Sequence, residues 1–317
     1  MELHIVTGKG GVGKTTVAAS LALALAGRGR HVLLTEVEGR QGLAQVLDTA
    51  PLPYEEIRIA AGRSGGDVFG LAIDPEAAFY EYLDMFYRLG PAARALRKVG
   101  AVDFASTVAP GLRDVLLLGK VYEAVGTRRG KRRRYDAVVL DAPPIGRITR
   151  FLNVGAEVSG LAKVGPVRAQ ADAITRLVAS DRTVVHMVTL LEELPVQETR
   201  EAVDELRAAG LRIGALITNA VEPEPLPQRA RPSVDDLASI LKRVSIPRPK
   251  ATAAALLDEA ELQHARSTLQ HDQRARLDDV TAARLELPAL ASGVDLPALY
   301  AFAELLEEFV VAQGWRP

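Results

Sequence analysis

The sequence predicts an α/β protein with a doubly wound, mostly parallel sheet and an α-helical subdomain formed by insertions. Three observations support this prediction. The chain opens with a short apolar run, a glycine-rich stretch and an Ala/Leu-rich helical pattern, further apolar runs alternate with helical patterns, and one of these runs ends on Asp141. Short strands that alternate with longer helices are typical of parallel sheets covered on both faces.

The composition suits one globular unit over residues 1–317. The chain is 48% hydrophobic and 25% charged, with a formal net charge of −1, so it has ample core material and no overall attraction to nucleic acid or anionic membrane. It contains no cysteine, which excludes disulfides, thiolate metal sites and cysteine nucleophiles. Because no apolar run approaches the ~20 residues of a membrane span, we expect a cytoplasmic protein without stable membrane insertion.

The first sixteen residues carry the strongest motif. A predicted strand (Leu3–Thr7) and a predicted helix (Val17–Ala26) flank the spacing Gly8-x-x-x-x-Gly13-Lys14-Thr15. In that context the spacing predicts a loop whose backbone N–H groups surround a polyphosphate, with Lys14 at the β/γ-phosphates and the Thr15 hydroxyl on Mg²⁺. We therefore expect nucleotide contacts from the whole loop: Gly8, Lys9, Gly10, Gly11, Val12, Gly13, Lys14, Thr15 and Thr16.

Three further positions extend the predicted site. Asp141 ends a buried strand pattern at the carboxyl edge of the sheet, where a carboxylate holds Mg²⁺. Gly146, five residues on, suits a loop that senses the γ-phosphate. Asn219 ends another strand, where an amide pairs with adenine, and the following Ala-Val-Glu lacks the Lys-x-Asp pattern that reads guanine. The sequence therefore favours ATP over GTP.

Several other segments have a clear pattern. The stretch 51–66 is turn-rich, a third strand is predicted over Val68–Ile73, and helical patterns mark an insertion at about 75–127 and a charged segment at about 230–280. The basic run 128–134 could bind DNA or anionic lipid, but no aromatic residue interrupts its charges, so a solvated loop is favoured and no nucleic-acid partner is expected. The closing helix, 297–313, carries acidic and no basic residues, which favours packing on the core over membrane binding.

Together these motifs resemble the arsenite-pump and tail-anchored-protein-targeting ATPase family, and especially its actinobacterial anion-transporter branch. The resemblance extends over nearly the full chain. The residues that carry it are Lys9 inside the phosphate loop (a deviant Walker A motif), the Ile73–Ala78 start of the helical insertion, Asp141-x-x-Pro144-x-Gly146, Glu193-Leu194 with Glu198-Thr199, Asn219, and the Leu287–Leu290 loop before the last helix.

The resemblance implies a dimer of ATPase subunits, either a homodimer or a heterodimer with a paralogous ATPase, in which Lys9 reaches the partner's nucleotide. It also places Pro288 and Leu290 at the nucleotide, and it aligns the family's water-activating aspartate with Glu38. The implied catalytic groups are then Lys9, Lys14, Glu38 and Asp141, with ATP and Mg²⁺ as cofactors. The absence of cysteine departs from the family, because thiolates cannot bind arsenite or bridge zinc here.

The leading interpretation is a Mg-ATP-dependent dimeric switch that couples hydrolysis to a helical subdomain, which engages a protein client or partner. Two alternatives remain open. One is a positioning ATPase of the Min/Par type on membrane or DNA, which would use the basic run. The other is a weakly hydrolysing subunit paired with an active paralogue, which the change from aspartate to Glu38 would explain.

Overall fold

The computed structural model describes residues 2–27, 29–37, 39, 41–63, 65–87, 110–130, 132–159, 165–223, 232–291 and 293–314. Its strands are β1 (Leu3–Gly8), β2 (His31–Glu36), β3 (Ile57–Ala61), β4 (Asp67–Ala72), β5 (Arg128–Arg129), β6 (Arg132–Arg133), β7 (Ala137–Asp141), β8 (Thr183–Thr189), β9 (Ile213–Val221) and β10 (Ala283–Pro288).

The helices lie between these strands and after the last of them. They are α1 (Lys14–Ala26), α2 (Gly42–Val46), α3 (Pro75–Tyr87), α4 (Pro110–Gly126), α5 (Ile145–Leu152), α6 (Val154–Ser159), α7 (Pro166–Val178), α8 (Glu193–Ala208), α9 (Val234–Arg243), α10 (Pro249–Arg276) and α11 (Leu296–Ala312). No described helix is both long and apolar enough to cross a bilayer.

Eight strands form one sheet in the order β10-β9-β8-β1-β7-β2-β4-β3. Every neighbouring pair is parallel except β3 with β4, which confirms the predicted mostly parallel sheet. The turn-rich interpretation of 51–66 is wrong over β3. Its Ile57-Arg-Ile-Ala-Ala sequence pairs antiparallel with β4. This edge strand has five residues and none of them is buried, so it is too short to show a clear periodic pattern.

Alternate side chains of the central strands enter two separate cores, as a doubly wound sheet requires. On β1, Leu3 and Ile5 join the core formed with α4, α5, α7 and α8. Val6 faces the opposite core, which contains α1 and α11. On α11, Leu299 and Phe302 are fully buried, so the predicted packing of the closing helix is confirmed.

The helical insertion predicted after β4 is described at its two ends only. Helices α3 and α4 confirm helical structure there, and the predicted helical residues 88–109 lie outside the described residues. The basic run forms a small hairpin, β5–β6, where a solvated loop was expected. Arg133 pairs with Glu2, and Arg134 Nη2 lies 2.6 Å from Glu56 Oε2. The described arginines Arg128, Arg132, Arg133 and Arg134 are nevertheless exposed, as the sequence predicted.

Candidate nucleotide site

The turn from β1 into α1 requires glycine at three positions of the phosphate loop. A Cβ on Gly8 would lie 2.2 Å from the Val188 carbonyl oxygen of the adjacent strand β8. Gly11 and Gly13 have φ angles of 88° and 89°, which L-residues with a side chain rarely adopt. Glycine is therefore required at position 8 by a close contact with the neighbouring strand, and at positions 11 and 13 by a left-handed backbone. With these conformations the loop leads into the first turn of α1.

Asn219 supports this loop from β9. Its Nδ2 donates to the Val12 carbonyl oxygen at 2.9 Å, and a Cβ on Gly13 would lie 2.2 Å from the same nitrogen. The structure thus gives Asn219 a structural contact with the loop, which the sequence did not predict. Recognition of adenine by this amide stays a prediction.

The two loop lysines point to different places. Lys14 lines the cavity beside the loop, and its Nζ donates to the Lys9 carbonyl oxygen at 3.2 Å. The Lys9 ammonium instead lies 2.6 Å from Glu198 Oε1 on α8 of the same chain. Lys9 is not among the residues that line this cavity. The two ammonium groups therefore lie in different environments, that of Lys14 at the cavity and that of Lys9 at Glu198.

Thr15 and Asp141 meet at the end of the cavity. The Thr15 hydroxyl donates to Asp141 Oδ2 at 2.6 Å, because the parallel register pairs Val6 with Asp141 and brings β7 beside the loop. A hydroxyl and a carboxylate are hard oxygen donors of the kind Mg²⁺ prefers. Among the described residues, no group of three or more His, Cys, Asp or Glu side chains could hold a metal. Two protein donors fit a magnesium ion that takes its other ligands from phosphate and water.

Glu36 is a site residue that sequence reasoning missed. It ends β2, directly opposite Asp141 in the sheet register, and is 4% exposed. Its Oε2 accepts the Leu43 backbone N–H at 3.0 Å, whereas Oε1 is buried without a hydrogen-bond partner in the described part of the chain. Its position directly after the apolar run His31–Thr35 was the signal available in the sequence. Glu38, to which the resemblance led, lies outside the described residues.

The cavity has a volume of about 360 Å³. Its lining combines loop backbone, one ammonium, two carboxylates and a hydroxyl: Gly10, Gly11, Gly13, Lys14, Thr15, Glu36, Gly42, Gln45, Asp141 and Ala142.

The structure brings some predicted residues to this cavity and leaves others away from its lining. Gly146 lies in the first turn of α5, and Thr16 is buried in the first turn of α1. Pro288 ends β10, whose following residue Ala289 donates to the Val221 carbonyl oxygen at 2.9 Å, with Leu290 next in the chain. The predicted nucleotide contacts of these residues stay predictions.

Comparison with known proteins agrees with this geometry. The model of the anion-transporting ATPase family matches residues 1–171, which include β1 to β7 and the whole cavity lining. The ATPase BagA of Mycobacterium tuberculosis is 52% identical over 97% of this chain and 93% of its own length. The chain belongs to the anion-transporting ATPase family.

More distant relatives of this ATPase have other names. The arsenical pump-driving ATPase of Escherichia coli is 27% identical over 68% of this chain and 39% of its own length. The ATPase get3 of Schizosaccharomyces japonicus is 30% identical over 51% of this chain and 49% of its own length. The family resemblance inferred from the motifs is confirmed, and this member of the family is an ATP hydrolase.

Proposed function

We propose that this ATPase works as a Mg-ATP-dependent dimeric switch whose helical elements engage a protein client or partner. The observation that carries the proposal is the separation of the two loop lysines. Lys14 lines its own cavity, while the Lys9 ammonium turns to a carboxylate outside that lining. A cation that its own site does not use is available for the nucleotide of a second subunit.

The chemistry within one subunit follows from the cavity lining. Loop N–H groups and the Lys14 ammonium hold the phosphates, and the N-terminus of α1 adds its partial positive charge. Thr15 and Asp141 would hold Mg²⁺, which neutralises phosphate charge when bound. The buried Glu36 Oε1 atom is placed to accept a hydrogen bond from an attacking water and so to orient it.

Glu36 also connects the cavity to the helices. The Ile73 N–H donates to the Glu36 carbonyl oxygen at 2.9 Å, and α3 begins two residues later. Glu81 on α3 and Lys120 on α4 are joined by an ion pair of 2.7 Å. A shift of the Glu36 backbone on hydrolysis would therefore move α3, and α4 with it. In this proposal, that movement changes the surface offered to a client.

The proposal is tested by the mass of the protein in solution with and without ATP, for wild type and Lys9→Ala. We expect ATP to convert wild type to a dimer and to leave the variant monomeric. ATP binding is measured in parallel with a fluorescent nucleotide, and we expect the variant to bind it, because Lys14 is unchanged. If wild type binds ATP but stays monomeric at all concentrations, the homodimer is contradicted. If wild type also fails to form a dimer with a paralogous ATPase, the dimeric switch is contradicted.

A further inference from the structure

Helices α9 and α10 form a long arm, defined here as residues 233–276. A short turn, residues 244–248, joins the two helices, and they pack on each other as a hairpin. The arm contributes little to the core: in α9 no residue is buried, and in α10 only Ala253 and Gln273 are. It also lies outside residues 1–171, which the family model matches.

The arm projects from the edge of the sheet that carries the nucleotide cavity. The Glu222 N–H, just past the carboxyl end of β9, donates to Gln270 Oε1 on α10 at 3.2 Å. Twenty-one residues separate Gln270 from Pro249, where α10 begins. At 1.5 Å per residue the outer end of the arm therefore lies roughly 30 Å beyond that point.

The outer end, here called the tip, comprises residues 240–250. Its sequence is Ile-Leu-Lys-Arg-Val-Ser-Ile-Pro-Arg-Pro-Lys, with four basic residues and no acidic one, in a chain of net charge −1. Lys250 is 3.1 Å from Asp235. Lys242, Arg243 and Arg248 make no ion pair within the described residues, so the tip has a concentrated positive charge.

Apolar side chains alternate with these cations on the tip. Val244 is 63% exposed, the highest value among the large apolar side chains of the described chain, and Ile240 is 50% exposed. Ile246 is exposed as well, and so is Leu256, which lies six residues beyond the tip on α10. Two of these aliphatic residues flank Ser245, whose φ of 60° is a left-handed conformation. The bend thus keeps aliphatic and cationic side chains together at the end of the arm.

We propose that the tip docks on the surface of an anionic lipid bilayer. Cations at the surface attract lipid phosphates, and aliphatic side chains beside them enter the boundary between headgroups and acyl chains. The tip is a short turn with the adjoining helix ends, which is too small to form a groove for a helix or strand. It contains no aromatic residue on which a nucleic-acid base could stack. An anionic bilayer offers phosphates for the cations of the tip and an apolar region for its exposed aliphatic side chains.

Co-sedimentation with vesicles tests the proposal on the full-length protein. We expect pelleting with phosphatidylcholine–phosphatidylglycerol vesicles and none with phosphatidylcholine alone. Lys242→Ala/Arg243→Ala should reduce the partition coefficient about 25-fold, since each surface cation contributes about fivefold. Val244→Ser/Ile246→Ser should also reduce it, because the variant loses aliphatic contact but no charge. These positions are exposed, so circular dichroism and melting temperature should remain those of wild type.

Arg128→Ala/Arg132→Ala is the matched control, because it removes two exposed cations from the β5–β6 hairpin instead of the tip. It should pellet as wild type does. The proposal is overturned if wild type and both tip variants pellet equally, or if wild type does not pellet with anionic vesicles. It is also overturned if the tip is needed for binding to duplex DNA and the protein does not bind vesicles.

The absence of cysteine permits a second, independent measurement. A single Ser245→Cys, labelled with an environment-sensitive bimane dye, should shift to shorter emission wavelength when anionic vesicles are added. Thr268→Cys lies on the exposed side of α10, about 30 Å from the tip at 1.5 Å per residue, and its label should show no shift. The same response at both positions, or at neither, contradicts docking through the tip.

Discussion

Lys9 Nζ lies 2.6 Å from Glu198 Oε1, which holds the extra lysine of the phosphate loop against α8 of its own chain. Both side chains are about one-third exposed, so the pair contributes at most about 1 kcal/mol. That is weak enough to be exchanged for a polyphosphate, whose charge is larger. In the proposed dimer, Glu198 therefore competes with the partner's nucleotide for Lys9.

Glu198→Gln should strengthen ATP-dependent dimerisation, because it removes the competing charge and leaves Lys9 intact. From the ceiling of about 1 kcal/mol for an exposed pair, we expect up to about a fivefold lower dimer dissociation constant. Analytical ultracentrifugation with ATP measures this constant. Glu201→Gln, on the exposed side of the same helix, serves as control and should behave as wild type. A weaker dimer in Glu198→Gln would show that Glu198 does not compete for Lys9.

Gly8→Ala should destabilise the fold by about 1–3 kcal/mol, the range for forcing an extra methyl group into a packed site. The added Cβ would meet the Val188 backbone oxygen, and a backbone atom of the neighbouring strand cannot move aside as a flexible side chain can. Gly10→Ala is the control, because a Cβ added there would have no atom within 4 Å. Urea denaturation measures both. Equal stability of the two variants would contradict the strand contact as the reason for glycine at position 8.

Asn219→Ala separates two roles of one amide. Loss of the 2.9 Å bond to the Val12 carbonyl oxygen should weaken ATP and GTP binding alike, by about 1 kcal/mol or fivefold. If Asn219 also reads adenine, ATP binding should fall more than GTP binding, and the preference for ATP should shrink. Titration with both nucleotides makes the comparison. Unchanged binding of both would contradict the support of the loop by Asn219.

Glu36→Gln should lower kcat about 10²–10³-fold while ATP binding persists, as expected for loss of a water-orienting carboxylate. The amide keeps the size of the side chain and an oxygen that accepts the Leu43 N–H. Glu38→Gln is the companion variant, and the resemblance assigns the same role to that residue. Single-turnover hydrolysis compares the two. If Glu36→Gln keeps full activity and Glu38→Gln loses activity, Glu38 and not Glu36 orients the water.

Acid should destabilise the protein through two buried histidines on adjacent strands, His4 and His186. Their ring nitrogens are 3.0 Å apart. Burial lowers the pKa of His186 to about 3, and burial together with the nearby His186 lowers the pKa of His4. An unfolded histidine has a pKa of about 6.5. Their neutral forms therefore stabilise the fold fully above about pH 6.5, and stability falls as the pH drops toward the folded pKa values, by up to about 1.4 kcal/mol per pH unit for each residue.

The pH dependence of the melting temperature between about pH 7.5 and about pH 5 measures this effect. The double variant His4→Leu/His186→Leu should melt at a temperature that depends less on pH, because both titrating groups are gone. His271→Gln, at an exposed position, should keep the wild-type slope. An unchanged slope in the double variant would assign the acid sensitivity to other groups.

The parts of the site that sequence predicted are local. The loop from Gly8 to Thr15 combines strand, glycines and helix within a few residues, so its spacing alone defined the phosphate cradle. Asp141 was found because a buried strand pattern ends on it. Edge strand β3 was missed because five residues at the margin of a sheet carry little periodic signal.

Long-range contacts were not predictable in this way. Glu36 lies opposite Asp141 only through the register of β2 on β7, and Lys9 meets Glu198 across 189 positions of the chain. Sequence by itself determined the ATPase family, the parallel sheet and the phosphate loop, since each rests on short-range patterns. Tertiary structure alone decided which carboxylate enters the cavity, where the second lysine rests and how far the basic tip projects, because those depend on strand register and helix packing.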